Sequence, residues 1–235
     1  MMWQVPKIWE DGDVWILGGG PSVTEQFRIP GDVVKSVLSG TSTPNAYSPY
    51  MEALHDKHVI GVNISFMIGN WIDFVFFGDP NFFLRYQVEL AKFPGLKISC
   101  SPNTEKVKWV KTLARDGSHG RGISSNPYKV SWNHNSGAAA ISVAAHTGAR
   151  RIILLGFDMK LDSNKMQHWH DVYQRGPAVT QKRLQKLPFN RHMSGFKSIA
   201  ADAKRMGIEI LNANPNSAIE EFPKYSIKEL LYNNS

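Results

Sequence analysis

Cysteine occurs once in 235 residues, at Cys100, so the chain can form no internal disulfide and no cysteine-based metal cluster. A reducing compartment is expected. Long apolar runs are missing as well: none reaches the roughly 18 to 20 residues that span a bilayer, and Met1-Met2-Trp3-Gln4-Val5-Pro6-Lys7 has no signal-peptide core. The expectation is a soluble, cytoplasmic protein without a membrane span. Internal repeats, low-complexity stretches and linkers are also missing, which leaves residues 1–235 as a single domain. Acidic residues are outnumbered, 20 Asp+Glu against 27 Lys+Arg, for a formal charge of +7. Phosphate-bearing partners, whether nucleotide or nucleic acid, would be drawn to such a surface. The positive residues are dispersed, apart from one denser stretch holding Arg175, Lys182, Arg183, Lys186 and Arg191.

What the chain does have is apolar material in short pieces. Hydrophobic residues make up 42%, enough for a sizeable core. Runs such as Val14-Trp15-Ile16-Leu17, His58-Val59-Ile60-Gly61-Val62, Phe74-Val75-Phe76-Phe77, Leu96-Lys97-Ile98-Ser99, Arg151-Ile152-Ile153-Leu154-Leu155 and Glu209-Ile210-Leu211 recur between glycines and prolines. Several are apolar on both faces, as buried parallel strands are. Between them lie helical segments, the clearest at 136–147, ended by Gly148, and at 195–206, stopped by Gly207. Alternating strands and helices predict an α/β fold, a single Rossmann-like domain with a mostly parallel sheet. Two stretches read as insertions: residues 39–49, and residues 160–191, which have few apolar runs and the length of a functional lid.

Residues with chemistry cluster where those strands end. Leu17-Gly18-Gly19-Gly20-Pro21-Ser22-Val23 follows the first strand; its glycines allow close backbone approach, and a helix start behind it suits an anion, with Ser22 as a candidate cap. The loop is neither a P-loop, lacking Gly-Lys-Ser/Thr, nor a Gly-x-Gly-x-x-Gly fingerprint, since position 23 is Val. Asn63 closes the second strand, where an amide can bond a ribose or base or simply cap a turn. Asp79 closes the third, where a carboxylate can hold a ribose, a metal or a helix cap. Asn133-His134-Asn135-Ser136-Gly137 opens the alanine-rich helix, and Ser136 can donate to a phosphate. Asp158 follows the strongest strand. In the presumed lid, His168 and His170 are two apart, sharing a face on a strand and not on a helix. That spacing does not match the His-Glu-x-x-His zinc signature. His192 beside Arg191 combines a proton acceptor with an anion holder.

Taken in order, these segments resemble two groups of bacterial glycosyltransferases: the CMP-sugar sialyltransferases and the motility-associated, flagellin-modifying transferases. They also share features with the 6-hydroxymethylpterin diphosphokinase MptE-like fold family. Gly18-Gly19-Gly20-Pro21-Ser22-Val23 is similar to the sialyltransferases' Gly-x-Gly-Pro-Ser-Leu, Val62-Asn63 to their Cys-Asn, Ser136-Gly137 to their Ser-Gly helix start, and Asn214-Pro215-Asn216-Ser217 to their closing Cys-Pro-Asn-Ser. Asp73-Phe74-Val75 with Asp79-Pro80 resembles the flagellin-type strand. The resemblance runs over about residues 13–220.

It implies a metal-independent glycosyltransferase that needs no cofactor and uses a nucleotide-activated, CMP-sugar-like donor. Gly18, Gly19, Gly20, Pro21, Ser22, Asn63, Asp79, Asn135, Ser136, Gly137 and Asp158 would hold the donor, and His192 would be the general base. The sialyltransferases place an Arg just before Ser-Gly and two lid tyrosines at the donor phosphate. Here Asn133, His134 and Asn135 precede Ser136, and the lid candidates are His168, His170, Tyr173 and Arg191. The diphosphokinase alternative would use Mg²⁺ on Asp79 and Asp158. A non-catalytic nucleotide- or nucleic-acid-binding module is the third reading, supported by the charge and the Trp and Tyr content.

Overall fold

The apolar runs form strands because both their faces are covered. The computed structural model describes residues 3–117, 120–170 and 187–232. Its strands are β1 (Asp13–Leu17), β2 (His58–Val62), β3 (Phe74–Phe77), β4 (Leu96–Ser99), β5 (Lys111–Thr112), β6 (Ala114–Arg115), β7 (Lys129–Val130), β8 (Arg151–Leu155) and β9 (Glu209–Asn212). β6 and β7 pair separately; the other strands make one 7-stranded sheet in the order β5-β4-β3-β2-β1-β8-β9. Every neighbouring pair in it is parallel.

Strand periodicity sorts the side chains onto two cores. Val14, Ile16, Ile60, Val62 and Phe76 pack on one face, and Trp15, Leu17, Val59, Val75 and Phe77 on the other. The helices are α1 (Ser22–Gln26), α2 (Gly31–Ser39), α3 (Pro80–Lys92), α4 (Ser136–His146), α5 (Phe189–Met193), α6 (Phe196–Met206) and α7 (Ile227–Tyr232). The first face is covered by α4 and α6; α3 lies on the second. All residues of α4 are buried. Its SGAAAISVAAH sequence explains how, because small side chains let a helix sit close on a sheet with its outer side covered too.

The stretch read as an insertion at residues 39–49 is anchored in the core through Pro44 and Tyr47. α2 ends at Gly40, whose φ of 80° suits glycine, and a 3₁₀ segment at Pro44–Leu54 follows. Tyr47, Met51 and Leu54 within it are fully buried at 0% exposure. Ser48, Pro49 and Glu52 between those anchors disguise one apolar face.

The strand order creates the site. The chain adds β2 through β5 outward from β1, then returns to place β8 on the other flank of β1. The strand order therefore reverses at β1, and in such sheets ligands bind at the carboxyl edge beside that point. Among the described residues, no helix is long and apolar enough to cross a membrane.

Candidate functional site

The glycine loop is shaped first by the protein itself. Gly18 N–H donates to Leu155 O at 2.7 Å and Gly20 N–H to Gly156 O at 2.9 Å, carrying the β1–β8 pairing past the strands. A Cβ at Gly20 would lie 2.6 Å from the Asp158 carboxyl carbon, and one at Gly18 would lie 2.8 Å from Gly156 O. These glycines are thus required by close approach of residues 156–158, before any ligand is considered.

Asp158 explains that approach. It is 5% exposed, and its carboxylate accepts from Ser22 N–H at 2.8 Å, from Asn214 Nδ2 at 2.8 Å and from the Ser22 hydroxyl. Burial raises its pKa, against the lowering effect of the Ser22 and Asn214 hydrogen bonds and of Lys160. Two expectations change here. Pro21, not Ser22, occupies the cap position of α1, and Ser22 spends both its hydroxyl and its amide on Asp158. A five-residue helix whose first amide is already bonded is no anion site, and the loop meets the cleft at Gly18 to Gly20. The closing Asn214-Pro215-Asn216-Ser217 motif acquires a role in the same bracing: Ser217 Oγ donates to Phe157 O at 2.7 Å.

Above the loop lies a cleft of about 820 Å³ at the carboxyl edge of the sheet. Gly18, Gly19, Gly20, Asn63, Asp79, Asn135, Ser136, Gly137 and Asp158 line it, together with His168, His170, Arg191 and His192. Pro21 and Ser22 face a smaller recess of about 220 Å³ with the other side of Asp158. Tyr173, like Arg175, Lys182, Arg183 and Lys186, lies outside the described residues.

Two amides stand out. Asn135 caps α4, its Oδ1 accepting from Gly137 N–H at 2.9 Å and Ala138 N–H at 3.4 Å. Its Nδ2 is buried with no partner, and so is Asn63 Oδ1. Buried polar atoms are almost always bonded, so an orphaned donor and an orphaned acceptor lining one cleft mark groups that a ligand would satisfy. Backbone strain gathers there as well. Asn63, His134 and Met159 all line the cleft, with φ of 52°, 55° and 52°. Left-handed backbone in non-glycine residues costs on the order of 1 to 3 kcal/mol each and collects at functional sites. Asn133, before His134, is also left-handed at φ 50°. It is held by its side chain, which bonds both Gly122 N–H and Gly122 O.

The carboxylates serve the fold. Asp79 caps α3, with Oδ1 accepting from Asn81 N–H at 2.9 Å, and Asp158 is engaged as above. Among the described residues, no group of three His, Cys, Asp or Glu side chains could hold a metal. Both Asp158 oxygens accept from protein donors, so its carboxylate braces the glycine loop.

The histidines are packed tightly. His168 and His170 are in neither helix nor strand; their rings stack at 5.1 Å with an interplanar angle of 2°. Trp169 between them, missed in the sequence, is 2% exposed. Its backbone N–H donates to Gly19 O and its indole N–H to Gly18 O, both at 3.0 Å. Tyr47 Oη in turn donates to Trp169 O at 3.1 Å. Residues 168–170 are thereby fastened to the glycine loop. Burial pushes the His168 pKa down to about 4, aided by the charge of His192 and opposed by the Gly19 backbone hydrogen bond. Burial likewise carries His170 well below the usual histidine value. His192 falls to about 4, through burial and then the charges of Arg191 and His134. Desolvation, with the Arg191 charge beside it, keeps His192 neutral at pH 7.

No family model matches the chain, and no curated protein matches its sequence. Several solved structures align with it. A Maf glycosyltransferase from Magnetospirillum magneticum AMB-1 aligns with a TM-score of 0.56 and 14% identity, covering 96% of this chain and 35% of that one. The chain thus spans about a third of that protein's length. The sialyltransferase CstII from Campylobacter jejuni, in complex with the substrate analogue cytidine-5'-monophosphate, aligns with a TM-score of 0.47 and 16% identity over 91% of this chain and 84% of that one. Its complex with CMP-3FNeuAc gives 0.45 and 14% over 91% and 86%. The first likeness shows a Rossmann-like α/β fold.

Proposed function

We propose that this chain is a glycosyltransferase that takes a nucleotide-activated sugar in the cleft above β1, β2 and α4. The observation that carries the reading is the pair of orphaned amide atoms, Asn63 Oδ1 and Asn135 Nδ2, in one cleft with the glycine loop at the point where the strand order reverses. Asn63 Oδ1 can accept from a ribose hydroxyl or a base amine, and Asn135 Nδ2 can donate to a phosphate or ribose oxygen. The dipole of the eleven-residue α4 favours negative charge at its start, although the Gly137 and Ala138 N–H groups are taken by Asn135 Oδ1. The transferase fold of the Magnetospirillum structure is consistent with this at the level of fold alone, and the resemblance of Gly18–Val23 and Ser136-Gly137 to CMP-sugar enzymes favours a cytidine donor.

In the reaction so read, an acceptor oxygen bonds to the anomeric carbon while that carbon's bond to the phosphate oxygen breaks, and the nucleotide leaves with the electron pair. His192, neutral at pH 7, takes the acceptor proton. Its low pKa limits its strength as a base, and a bound phosphate would raise that pKa by offsetting Arg191 and His134. We further propose that no metal is required, since the cleft's arginines can neutralise the leaving phosphate. Of the presumed lid at 160–191, residues 171–186 lie outside the described residues; its described parts meet the cleft through His168, His170 and Arg191, with His168, Trp169 and His170 anchored on the glycine loop.

The test is calorimetric titration with CMP-, UDP- and GDP-sugars, followed by nucleotide-release assays with and without EDTA. Binding of one donor class and EDTA-resistant turnover is the expected result. Binding without turnover across a broad acceptor panel would favour the non-catalytic reading, and salt-sensitive RNA or DNA binding with no nucleotide-sugar affinity would overturn the proposal.

A further inference from the structure

α3 turns an apolar ridge to solvent. Its buried residues Phe82, Phe83, Tyr86 and Leu90 fasten it to the second core, while Leu84 and Val88, one turn apart, are 57% and 59% exposed. Packed against α3 is Lys106-Val107-Lys108-Trp109-Val110-Lys111, the approach to β5. Val107 and Val110 pack into the same core, and Lys106, Lys108 and Trp109 face outward. Trp109 is 40% exposed and leans on Phe83, their ring centroids 5.9 Å apart. Single exposed apolar side chains are ordinary. Here, however, a tryptophan rests on the helix that carries the aliphatic pair, and such a shared face marks a surface that something covers.

The same face is basic. Lys92 ends α3, and Lys106, Lys108 and Lys111 surround Trp109 in the chain, against the acidic Glu89 and Glu105. Among the described residues, none of these four lysines forms an ion pair. Uncompensated lysines call for an anionic partner. A second copy of this chain is a poor one, because a two-fold contact across this face would set lysines against lysines. Nucleic acid would use the lysines and stack on Trp109, but it gives nothing to Leu84 and Val88. An anionic bilayer uses all three groups: its head groups meet the lysines, tryptophan sits at the interface, and aliphatic side chains enter the acyl boundary.

We propose that α3 and residues 105–111 form a docking face for an anionic lipid surface. Leu84, Val88 and Trp109 are the inserted groups, and Lys92, Lys106, Lys108 and Lys111 are the contacts to head groups. The chain is thereby held at a membrane without spanning it. Pro80, Asn81 and Phe82, at the start of the same helix, line the cleft, so docking keeps that rim of the cleft beside the lipid. The inference does not depend on the glycosyltransferase reading, because it uses no residue assigned to the donor.

The test is sedimentation of the full chain with vesicles of phosphatidylcholine alone and of phosphatidylcholine mixed with phosphatidylserine, at low and at physiological salt. The wild type is compared with Leu84→Gln/Val88→Gln, which keeps good helix formers, and with Lys106→Gln/Lys108→Gln. A third variant, Lys204→Gln/Lys228→Gln, removes two exposed lysines elsewhere. The wild type should bind the anionic vesicles roughly tenfold or more tighter than the neutral ones and lose affinity as salt rises. Losing Lys106 and Lys108 should weaken binding roughly tenfold or more, at about fivefold per lysine, and flatten the salt dependence. Losing Leu84 and Val88 should weaken it about tenfold with the salt dependence kept. The distant pair should change it by less than about threefold. Quenching by brominated lipid, larger in the wild type than in Trp109→Phe, places Trp109 in the interface and decides the matter if the α3 variant fails to fold. Three results would overturn the docking face: no binding to anionic vesicles, an equal loss from the distant lysine pair, or wild-type binding by Leu84→Gln/Val88→Gln. RNA binding that Leu84→Gln/Val88→Gln leaves intact, without vesicle binding, would make the face a nucleic-acid site instead.

Discussion

Replacing Gly20 by alanine tests whether the loop's glycines answer to Asp158. The new methyl carbon would sit 2.6 Å from both Cγ and Oδ2 of Asp158 and 2.7 Å from Gly156 O, whereas non-bonded carbon needs roughly 3.5 Å. Asp158 must then shift by nearly 1 Å on this estimate, and its bonds to Ser22 N–H and Asn214 Nδ2, both 2.8 Å, cannot survive intact. Stripping partners from a buried carboxylate costs about 3 to 5 kcal/mol. At roughly 2 to 4 °C per kcal/mol for a chain of this size, Tm should fall by about 6 to 20 °C. Gly31→Ala is the control. It begins α2, with nothing within 4 Å of the added carbon, and should be neutral or stabilising by up to about 1 kcal/mol. Thermal and urea unfolding followed by circular dichroism give both values. A Gly20→Ala protein within about 1 kcal/mol of the Gly31→Ala protein would refute the argument.

Three further outcomes are expected. His192→Ala should lower turnover by on the order of 10² or more with nucleotide affinity nearly unchanged; a variant that loses only affinity makes His192 a ligand contact. Stability should decline on acidification, because His168 at about 4 in the fold binds fewer protons than the unfolded chain does around 6.5. That contribution is complete above pH 6.5 and is lost toward pH 4, at no more than about 1.4 kcal/mol per pH unit. His168→Gln should flatten the slope in urea titrations across that range, and an unchanged slope would contradict the burial assigned to its ring. Finally, Trp169→Phe removes the indole donor to Gly18 O and should cost about 1 to 3 kcal/mol, read as a shift in urea midpoint at constant m-value.

Legibility in the sequence followed the range of the interactions. β2, β3, β4 and β8 were found at their observed bounds, because an apolar run stopped by glycine or proline is a local signal, and α4 was visible from its alanines and from Gly148. β5, β6 and β7 are two residues each, too short for any period to show. The face formed by Tyr47, Met51 and Leu54 was broken by polar residues and a proline. Within the site, the sequence marked the residues at strand ends but not what they do to each other. Ser22 and Asp158 are 136 positions apart, so their mutual bonding, which takes both away from the simple ligand roles expected, emerges only when β1 and β8 pair.

Asn135→Asp tests the central claim most directly. Asp caps a helix as well as Asn does, so the Oδ1 bonds to Gly137 and Ala138 and the stability of the fold should persist. The orphaned Nδ2, however, becomes an oxygen that repels phosphate. Calorimetric titration of the wild type and this variant with CMP, UDP and GDP should show one nucleotide bound by the wild type and weakened by roughly tenfold or more in the variant, with Tm unchanged. A folded variant that binds the same nucleotide as tightly as the wild type, or a wild type that binds none of them, would contradict the placement of a nucleotide donor in this cleft.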